Sequence, residues 1–515
     1  MAALFGGHGL LWASLVSIVG IYKFFLSIPR IRRDGIPLKI PPNTLPIVGN
    51  GLVFLQDRQK LFSWFVEQER QFGRETYQIT VPTLHPGVVI NDPNNLDFVF
   101  KNEAIFTKGD FVRGRSWDLF GNGIINVDGE LWKAQRKAGS HFLNPANLRV
   151  MTDVALPRYL GQCVGRLQAR ADEGSAVDLQ LTFHEITSLL MGKMAYGMEI
   201  HAGDDFTMAF DYASGVVTER FQNPLWPITE IFTGSRFRKS LDIVRKFGLR
   251  IVDNAVNDRK TAAESLSQQH DADEDRLDEV SGSLIKSFLS YLGSQHKLVA
   301  DAALTFLTAG RDTTAQALTW SLYLLMQNES AVEKIREEAQ TLLKRQGLDL
   351  ESLGRECDIP SAIFSPTSLP YTMAVFYETL RLYPPIPFEI RQCEKATTLP
   401  DGTFLPGKSV VVWSLWAMNR SRTSWGPDAD EFRPERWLTK EGKLISKSAA
   451  EFPVFYGGLR ICLGKRMAEV IAAQVISSMV LLFDFEPAYQ GERVSKISLT
   501  LPMKDGLPCY VRNRA

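Results

Sequence analysis

Paired cysteines are missing from this chain. Its five cysteines, Cys163, Cys357, Cys393, Cys462 and Cys509, are odd in number and far apart, with no C-x-x-C or Cys/His zinc spacing. That pattern argues against a disulfide framework and against a structural zinc site. An excess of one charge is missing as well: 58 Lys and Arg balance 58 Asp and Glu, so the formal net charge is zero. A chain-wide basic surface for nucleic acid is therefore not expected. No internal repeat occurs, and no Gly/Ser or Pro-rich tether divides the sequence after residue 50. With 515 residues, of which 45% are hydrophobic and 23% charged, the chain has ample material for a core and is neither disordered nor fibrous. The expectation is one large domain over residues 51–515.

The N-terminal stretch lacks charge altogether. From Met1 to Tyr22 there is no Asp, Glu, Lys or Arg, and the apolar run continues past Lys23 through Phe24, Phe25, Leu26 and Ile28. About 20 mostly apolar residues suffice to span a bilayer as a helix, so residues 1–28 are read as a membrane anchor. Arg30, Arg32, Arg33 and Lys39 follow, which by the positive-inside rule leaves the rest of the chain on the cytoplasmic side. A cleaved signal peptide is the weaker reading, because there is no basic leading segment and no small-x-small cleavage site. Residues 29–50, with Pro37, Pro41, Pro42 and Pro46, form a basic, stiff connector.

Helical periodicity dominates the remainder. It is clearest over 59–71, 94–102, 129–141, 181–195, 298–328, 330–346, 369–382 and 465–482. Strand-like runs are fewer: ETYQITV, GVVIND and KSVVVWSLWA, near the two ends of the domain. The fold class is thus mainly α with small β-sheets.

One segment concentrates chemistry. In FYGGLRICLG, residues 455–464, a single cysteine sits among Gly457, Gly458 and Gly464, just ahead of a helical segment. Glycines permit close backbone approach to a bulky partner, and free amide hydrogens with a helix N-terminus stabilise a thiolate. A lone buried cysteine is ordinarily an inert small hydrophobe. The full spacing Phe455-x-x-Gly458-x-Arg460-x-Cys462-x-Gly464, however, resembles the heme-ligand signature of the cytochrome P-450 family. Other motifs of that family occur in order. Glu378 and Arg381 match its E-x-x-R pair, and FRPERW, containing Arg436, looks like the segment that completes a buried ion-pair network with them. LTFLTAGRDTTAQALTW, residues 304–320, resembles the central helix that crosses the oxygen-binding face of the heme.

The resemblance covers the chain from about Pro41 onward and implies a heme-thiolate monooxygenase of the microsomal type, its fold preceded by one transmembrane helix. Cys462 would be the iron ligand, with Phe455 beside it. Trp132, Arg136, Arg391 and Arg460 would hold the propionates of heme b, whose carboxylates call for cationic partners. Asp312 and Thr313 would relay protons to bound dioxygen, since an acid beside a hydroxyl is a sensible delivery route. A mid-helix Thr otherwise bonds the preceding turn. Glu378, Arg381 and Arg436 would be structural. No strand-linked G-x-G-x-x-G is present for a flavin or nicotinamide, so electrons would come from NADPH through a separate flavoprotein reductase, or from a cytochrome b-type donor. Lys133, Lys137, Lys465 and Arg466 form a candidate docking face for it. The expected location is the endoplasmic reticulum membrane, single-pass, with no role for nucleic acid.

Substrate class rests on apolar pocket candidates Phe111, Leu119, Phe120, Ile124, Ile125, Phe306, Ala309, Ile386 and Phe388, consistent with a lipophilic guest. The stretches around residues 106–137 and 399–438 look like the plant and fungal fatty-acid ω-hydroxylase branch, which suggests hydroxylation of a fatty acyl or alkyl chain. Tailoring of a fungal polyketide or terpenoid is the alternative within the same chemistry. A dioxygen-independent hydroperoxide isomerase or dehydratase is the alternative outside it, disfavoured by Asp312 and Thr313.

Overall fold

The structure, a computed structural model, describes residues 30–46, 48–81, 84–261, 272–293, 295–348 and 361–514, with three isolated positions at 16, 19 and 20. Apart from those three positions, the expected membrane anchor lies outside the described residues, as does Cys357. Among those described, no helix is long and apolar enough to cross a membrane.

Helices carry the fold, in chain order α1 (Arg58–Phe72), α2 (Pro93–Lys101), α3 (Gly109–Phe120), α4 (Gly129–Phe142), α5 (Leu156–Glu173), α6 (Leu179–Met191) and α7 (Asp205–Gln222). They continue with α8 (Trp226–Thr233), α9 (Ser235–Thr261), α10 (Ser283–Leu292), α11 (His296–Leu325), α12 (Glu329–Arg345), α13 (Pro370–Leu382) and α14 (Lys465–Leu482). Local chemistry sets several starts. Asp57 and Asp92 accept hydrogen bonds from Lys60 N and Asn94 N and so cap α1 and α2, and Pro93 occupies the first turn where its missing N–H costs nothing. The start of α13 is capped from a neighbour: Glu338 on α12 accepts from Tyr371 N, Thr372 N and Thr372 Oγ1.

The centre of the molecule is α11. Its 30 residues, about 45 Å long at 1.5 Å per residue, pack against α6, α9, α10, α13 and α14. Gly310 allows the approach of α6, because a Cβ there would meet Met191 Sδ at 2.8 Å.

Three small sheets flank the helices. β1 (Arg32–Arg33) and β2 (Ile36–Pro37) join β8 (Thr397–Thr398) and β9 (Thr403–Leu405) in the order β2-β1-β9-β8. The largest has the order β3-β4-β10-β7-β5, from β3 (Tyr77–Ile79), β4 (Gly87–Val89), β5 (Phe106–Thr107), β7 (Phe388–Cys393) and β10 (Val410–Ser414). Its β10–β4 pairing is parallel, Val411 opposite Val88, and the rest are antiparallel. β11 (Phe483–Pro487), β12 (Pro508–Asn513) and β6 (Val177–Asp178) form the third. The strand expected to run through KSVVVWSLWA stops at Ser414, whose Oγ accepts from Ala417 N and starts a helical turn over Leu415–Met418. Helices α3, α5, α7, α8, α9 and α10 are additions to the sequence reading.

Candidate active site

The loop before α14 brings the Cys462 thiol to the wall of a cavity of about 570 Å³. Across the same cavity stand Ala309, Gly310, Asp312 and Thr313 of α11. Burial pushes the Cys462 thiol above its ordinary range, while hydrogen bonds from Gly464 N and Lys465 N and the charges of Arg136 and Lys465 work the other way. Those amides are the first N–H groups of an 18-residue helix, where an anion is favoured. The loop's glycine pair has another cause than the one read from sequence. A Cβ at Gly457 would lie 2.3 Å from the Phe100 ring, and one at Gly458, with φ +61°, 2.2 Å from the Phe100 carbonyl oxygen. Gly457 and Gly458 therefore make room for α2.

One edge of the cavity is cationic. The Arg460 guanidinium lies over the Trp132 ring at 4.6 Å, and Arg136 reaches from the next turn of α4 to donate to Ile461 O at 2.5 Å. Arg460 Nη2 donates to Asp128 Oδ1 at 2.6 Å, but its buried Nε has no hydrogen bond and stands 3.5 Å from Glu103 Oε2. Arg391 on β7 donates to Ile390 O and Glu389 Oε2, is 4.7 Å from the Tyr456 ring, and also leaves its buried Nε unpartnered. Lys108, which the sequence reading missed, joins them 4.0 Å from Glu389 Oε2; burial and the nearby Arg391 charge lower its ammonium to about 7. A cluster of cations with two idle guanidinium donors and a depressed lysine is short of anions, as an edge that receives two carboxylates would be. Together with an apolar cavity and one thiol facing it, these residues fit a heme. Among the described residues no group of three or more His, Cys, Asp or Glu could hold a metal ion, so that thiol is the metal-ligating feature the site offers.

On the opposite wall, Thr313 Oγ1 donates to Ala309 O at 2.7 Å, the ordinary bond of a mid-helix threonine. Asp312 does not point alongside it. Its Oδ1 accepts from Arg311 Nε at 2.6 Å, and His184 Nδ1 of α6, without a hydrogen bond of its own, lies 3.8 Å away. Arg311 continues to Thr207 Oγ1 at 2.8 Å and stands 3.9 Å from Asp211, which is 3.4 Å from Lys496 at the surface. Successive residues on a helix diverge by about 100°, so the two members of the expected relay face different neighbours.

The pocket residues Phe111, Phe120, Ile124, Ile125, Phe306, Ala309, Ile386 and Phe388 all line the cavity, and so does Phe455. Leu119 does not: it is buried in the main core, where the last turn of α3 meets packed side chains instead of open space. Arg58 and Arg115 also line the cavity, although nothing in the local sequence marked them.

Glu378, Arg381 and Arg436 meet below the site with none of their exposure above a few per cent. Glu378 accepts from Arg381 Nε and Nη2 at 2.8 Å and from Arg436 Nε, Arg433 N and Trp437 Nε1 at 2.9 Å. Arg381 also donates to the carbonyls of Asn419, Ala429 and Glu431. On the outer face, Lys133 pairs with Glu130 at 2.7 Å and Lys465 with Glu469 at 3.8 Å, Lys137 stands over the Tyr291 ring, and Arg466 is exposed.

A thiol-bearing loop, a cationic rim and a long helix over the cavity define a heme-thiolate enzyme. The family model described as Cytochrome P450 matches residues 40–507, and the chain belongs to that family. Similar proteins include a cytochrome P450 monooxygenase, cyp1, of Mycosarcoma maydis, 31% identical over 86% of this chain and 69% of that one. Two from Arabidopsis thaliana are cytochrome P450 704B1, 29% identical over 94% of this chain and 97% of its own length, and cytochrome P450 94B1, 30% identical over 92% and 91%. The protein is accordingly a monooxygenase that works with heme iron and a redox partner on a lipophilic substrate.

Proposed function

We propose that the protein hydroxylates a fatty acyl or alkyl chain at or near its end. The observation that carries this reading is the cavity itself, apolar along Phe111, Phe120, Ile125 and Phe388 and ending where Cys462 faces Ala309 and Thr313. When bound, the heme supplies dioxygen activation and the insertion of one oxygen atom into a C–H bond.

The chain's own residues do the rest. Cys462 ligates the iron, and the N–H groups of Gly464 and Lys465 hold its thiolate. Trp132, Arg136, Arg391 and Arg460, joined by Lys108, take up the propionates, and Phe455 packs against the ligand loop. Ala309, small and lining the same cavity as Cys462, would leave room for dioxygen and substrate. Thr313 Oγ1 serves protons by turning its donor from Ala309 O into the cavity. Asp312 supplies them when it leaves Arg311, with Arg311, Asp211 and Lys496 leading outward to water. Phe306, Ile124 and Ile386 exclude solvent. The presence of Thr313 supports this chemistry over hydroperoxide rearrangement.

Residues 1–28 anchor the protein in the endoplasmic reticulum membrane, 29–50 connect, and the domain from 51 to 515 stands in the cytoplasm. Support comes from exposed apolar side chains next to the anchor, Ile36, Ile40, Leu45, Leu52 and Leu55, and from α8, where Ile231 and Phe232 are 68% and 82% exposed. Phe54 and Pro224, beside these two segments, line the cavity, so a membrane lipid has a short way in. Removing residues 1–28 should shift the protein from the membrane fraction toward the soluble one; unchanged fractionation would remove the anchor. Lys133, Lys137, Lys465 and Arg466 form the face that meets an NADPH-dependent flavoprotein reductase.

The test is a titration of the full, heme-loaded chain with dodecanoic acid and n-dodecane, followed by product analysis with reductase and NADPH. A Soret shift marking loss of iron-bound water and terminal or near-terminal alcohols are expected. Binding and turnover confined to terpenoid or polyketide substrates would overturn the acyl-chain reading.

A further inference from the structure

The cavity holds one guanidinium that neither the rim nor the fold accounts for. Arg115, on α3, stacks on the Phe111 ring at 4.0 Å and donates from Nε to Arg220 O at 3.1 Å and from Nη1 to Phe111 O at 3.0 Å. Its Nη2 makes no hydrogen bond among the described residues, and no carboxylate pairs with it. Burial alone lowers its pKa to about 10. The acids nearby are taken: Asp118, one turn along α3, pairs with Arg220 at 2.9 Å, and Glu230 with the same Arg220 at 2.6 Å. Arg58 is the useful contrast. It too lines the cavity without a carboxylate, but it donates three hydrogen bonds to the carbonyls of Lys496, Ser498 and Thr500 and so ties α1 to the C-terminal segment.

The position of Arg115 matters as much as its charge. Helix α7 touches the Thr313 turn at one end, where the Phe206 ring lies 5.6 Å from the Arg311 guanidinium. It touches Arg115 at the other, through Arg220 O. Those two points on α7 are about 21 Å apart at 1.5 Å per residue. Between them the cavity wall is mostly aromatic, with Phe120 edge-on to Phe210 at 6.1 Å and Phe111 tilted against Phe221 at 6.0 Å, and with Ser116, Ser214 and Thr218 as polar members. Arg115 is half-buried, and a cation so placed gains from a counter-charge. A guest with a long apolar body and one terminal anion satisfies both the wall and the cation.

We propose that Arg115 binds the terminal carboxylate of the substrate, so that this enzyme takes long-chain free acids and presents their far end to the iron. The proposal rests on the acyl-chain reading above. Nη2 donates to one carboxylate oxygen, the counter-charge is restored, and the length of chain between Arg115 and Thr313 sets which carbon is oxidised.

The experiment compares hexadecanoic acid, methyl hexadecanoate and 1-hexadecanol as ligands of the full, heme-loaded chain, read as dissociation constants from the Soret shift. The acid is expected to bind about 10- to 100-fold tighter than the ester, the difference made by one hydrogen-bonded charge. In Arg115→Gln that preference disappears while ester affinity stays, and in Arg115→Lys part of it returns. Equal affinity for acid and ester in the unaltered protein, or an acid preference that survives Arg115→Gln, would overturn the proposal and leave the acyl-chain reading standing. If none of the three ligands shifts the spectrum, the acyl-chain reading fails and the Arg115 proposal with it. The comparison within the unaltered protein needs no variant to fold.

Discussion

Glu378→Ala should abolish the accumulation of folded, heme-loaded protein. The carboxylate is fully buried and receives five hydrogen bonds, from Arg381, Arg436, Trp437 and the Arg433 amide. Its removal leaves Arg381 and Arg436 as buried cations without a counter-charge. Breaking a buried pair from one side costs about 3 to 5 kcal/mol, a large fraction of the roughly 5 to 15 kcal/mol that holds a domain folded. The site would suffer directly, because this network joins α13 to the segment that leads into the Cys462 loop. Arg381→Lys should be nearly as damaging, since lysine cannot reach Glu378 and the carbonyls of Asn419, Ala429 and Glu431 together. Yield and urea midpoints measure this; a Glu378→Ala protein with normal heme content and an unchanged midpoint would show that the network is dispensable.

Thr313→Ala should leave the fold intact and uncouple the chemistry. The hydroxyl contributes one bond to Ala309 O within its own helix, so its loss costs little stability. It lines the cavity together with Cys462 and Ala309, and its donor is held only by that bond within its own helix. Product formation is expected to fall roughly 100-fold or more, while oxygen consumption continues and appears as hydrogen peroxide. Asp312→Asn should show the same direction with a solvent isotope effect larger than that of the unaltered protein, because in the proposed relay the carboxylate bonded to Arg311 is the proton source. Unchanged product yield per NADPH in Thr313→Ala would contradict the relay.

What could be read from the sequence was the chemistry packed into short runs. The Cys462 loop, the Glu378–Arg381 turn and the 304–320 helix each keep their functional groups within a few residues, so spacing carries the information. The cationic rim was legible only in part. Trp132 and Arg136 share a helix turn, but Lys108 and Glu389 meet only through the pairing of β5 with β7, and Asp128 joins through Arg460. Arg115 was invisible for a similar reason: its lack of a partner depends on Asp118 being claimed by Arg220, about a hundred residues away. Gly457 and Gly458 misled, since a glycine announces close approach without saying to what, and the approach is to Phe100. Leu119 misled because apolar neighbours on one helix face read alike whether the space beyond them is open or filled. Asp312 illustrates the limit from the other side, being adjacent to Thr313 in sequence and turned toward Arg311 and His184 in space.

The central claim is that Cys462 is the iron ligand at one wall of the substrate cavity. The spectrum of the reduced, carbon-monoxide-bound protein tests it most directly, recorded for the unaltered chain and for Cys462→Ala loaded with heme. A strongly red-shifted Soret band in the first and its absence in the second is the predicted result. A histidine-type spectrum in the unaltered protein, or a red-shifted band that persists without Cys462, would contradict the account.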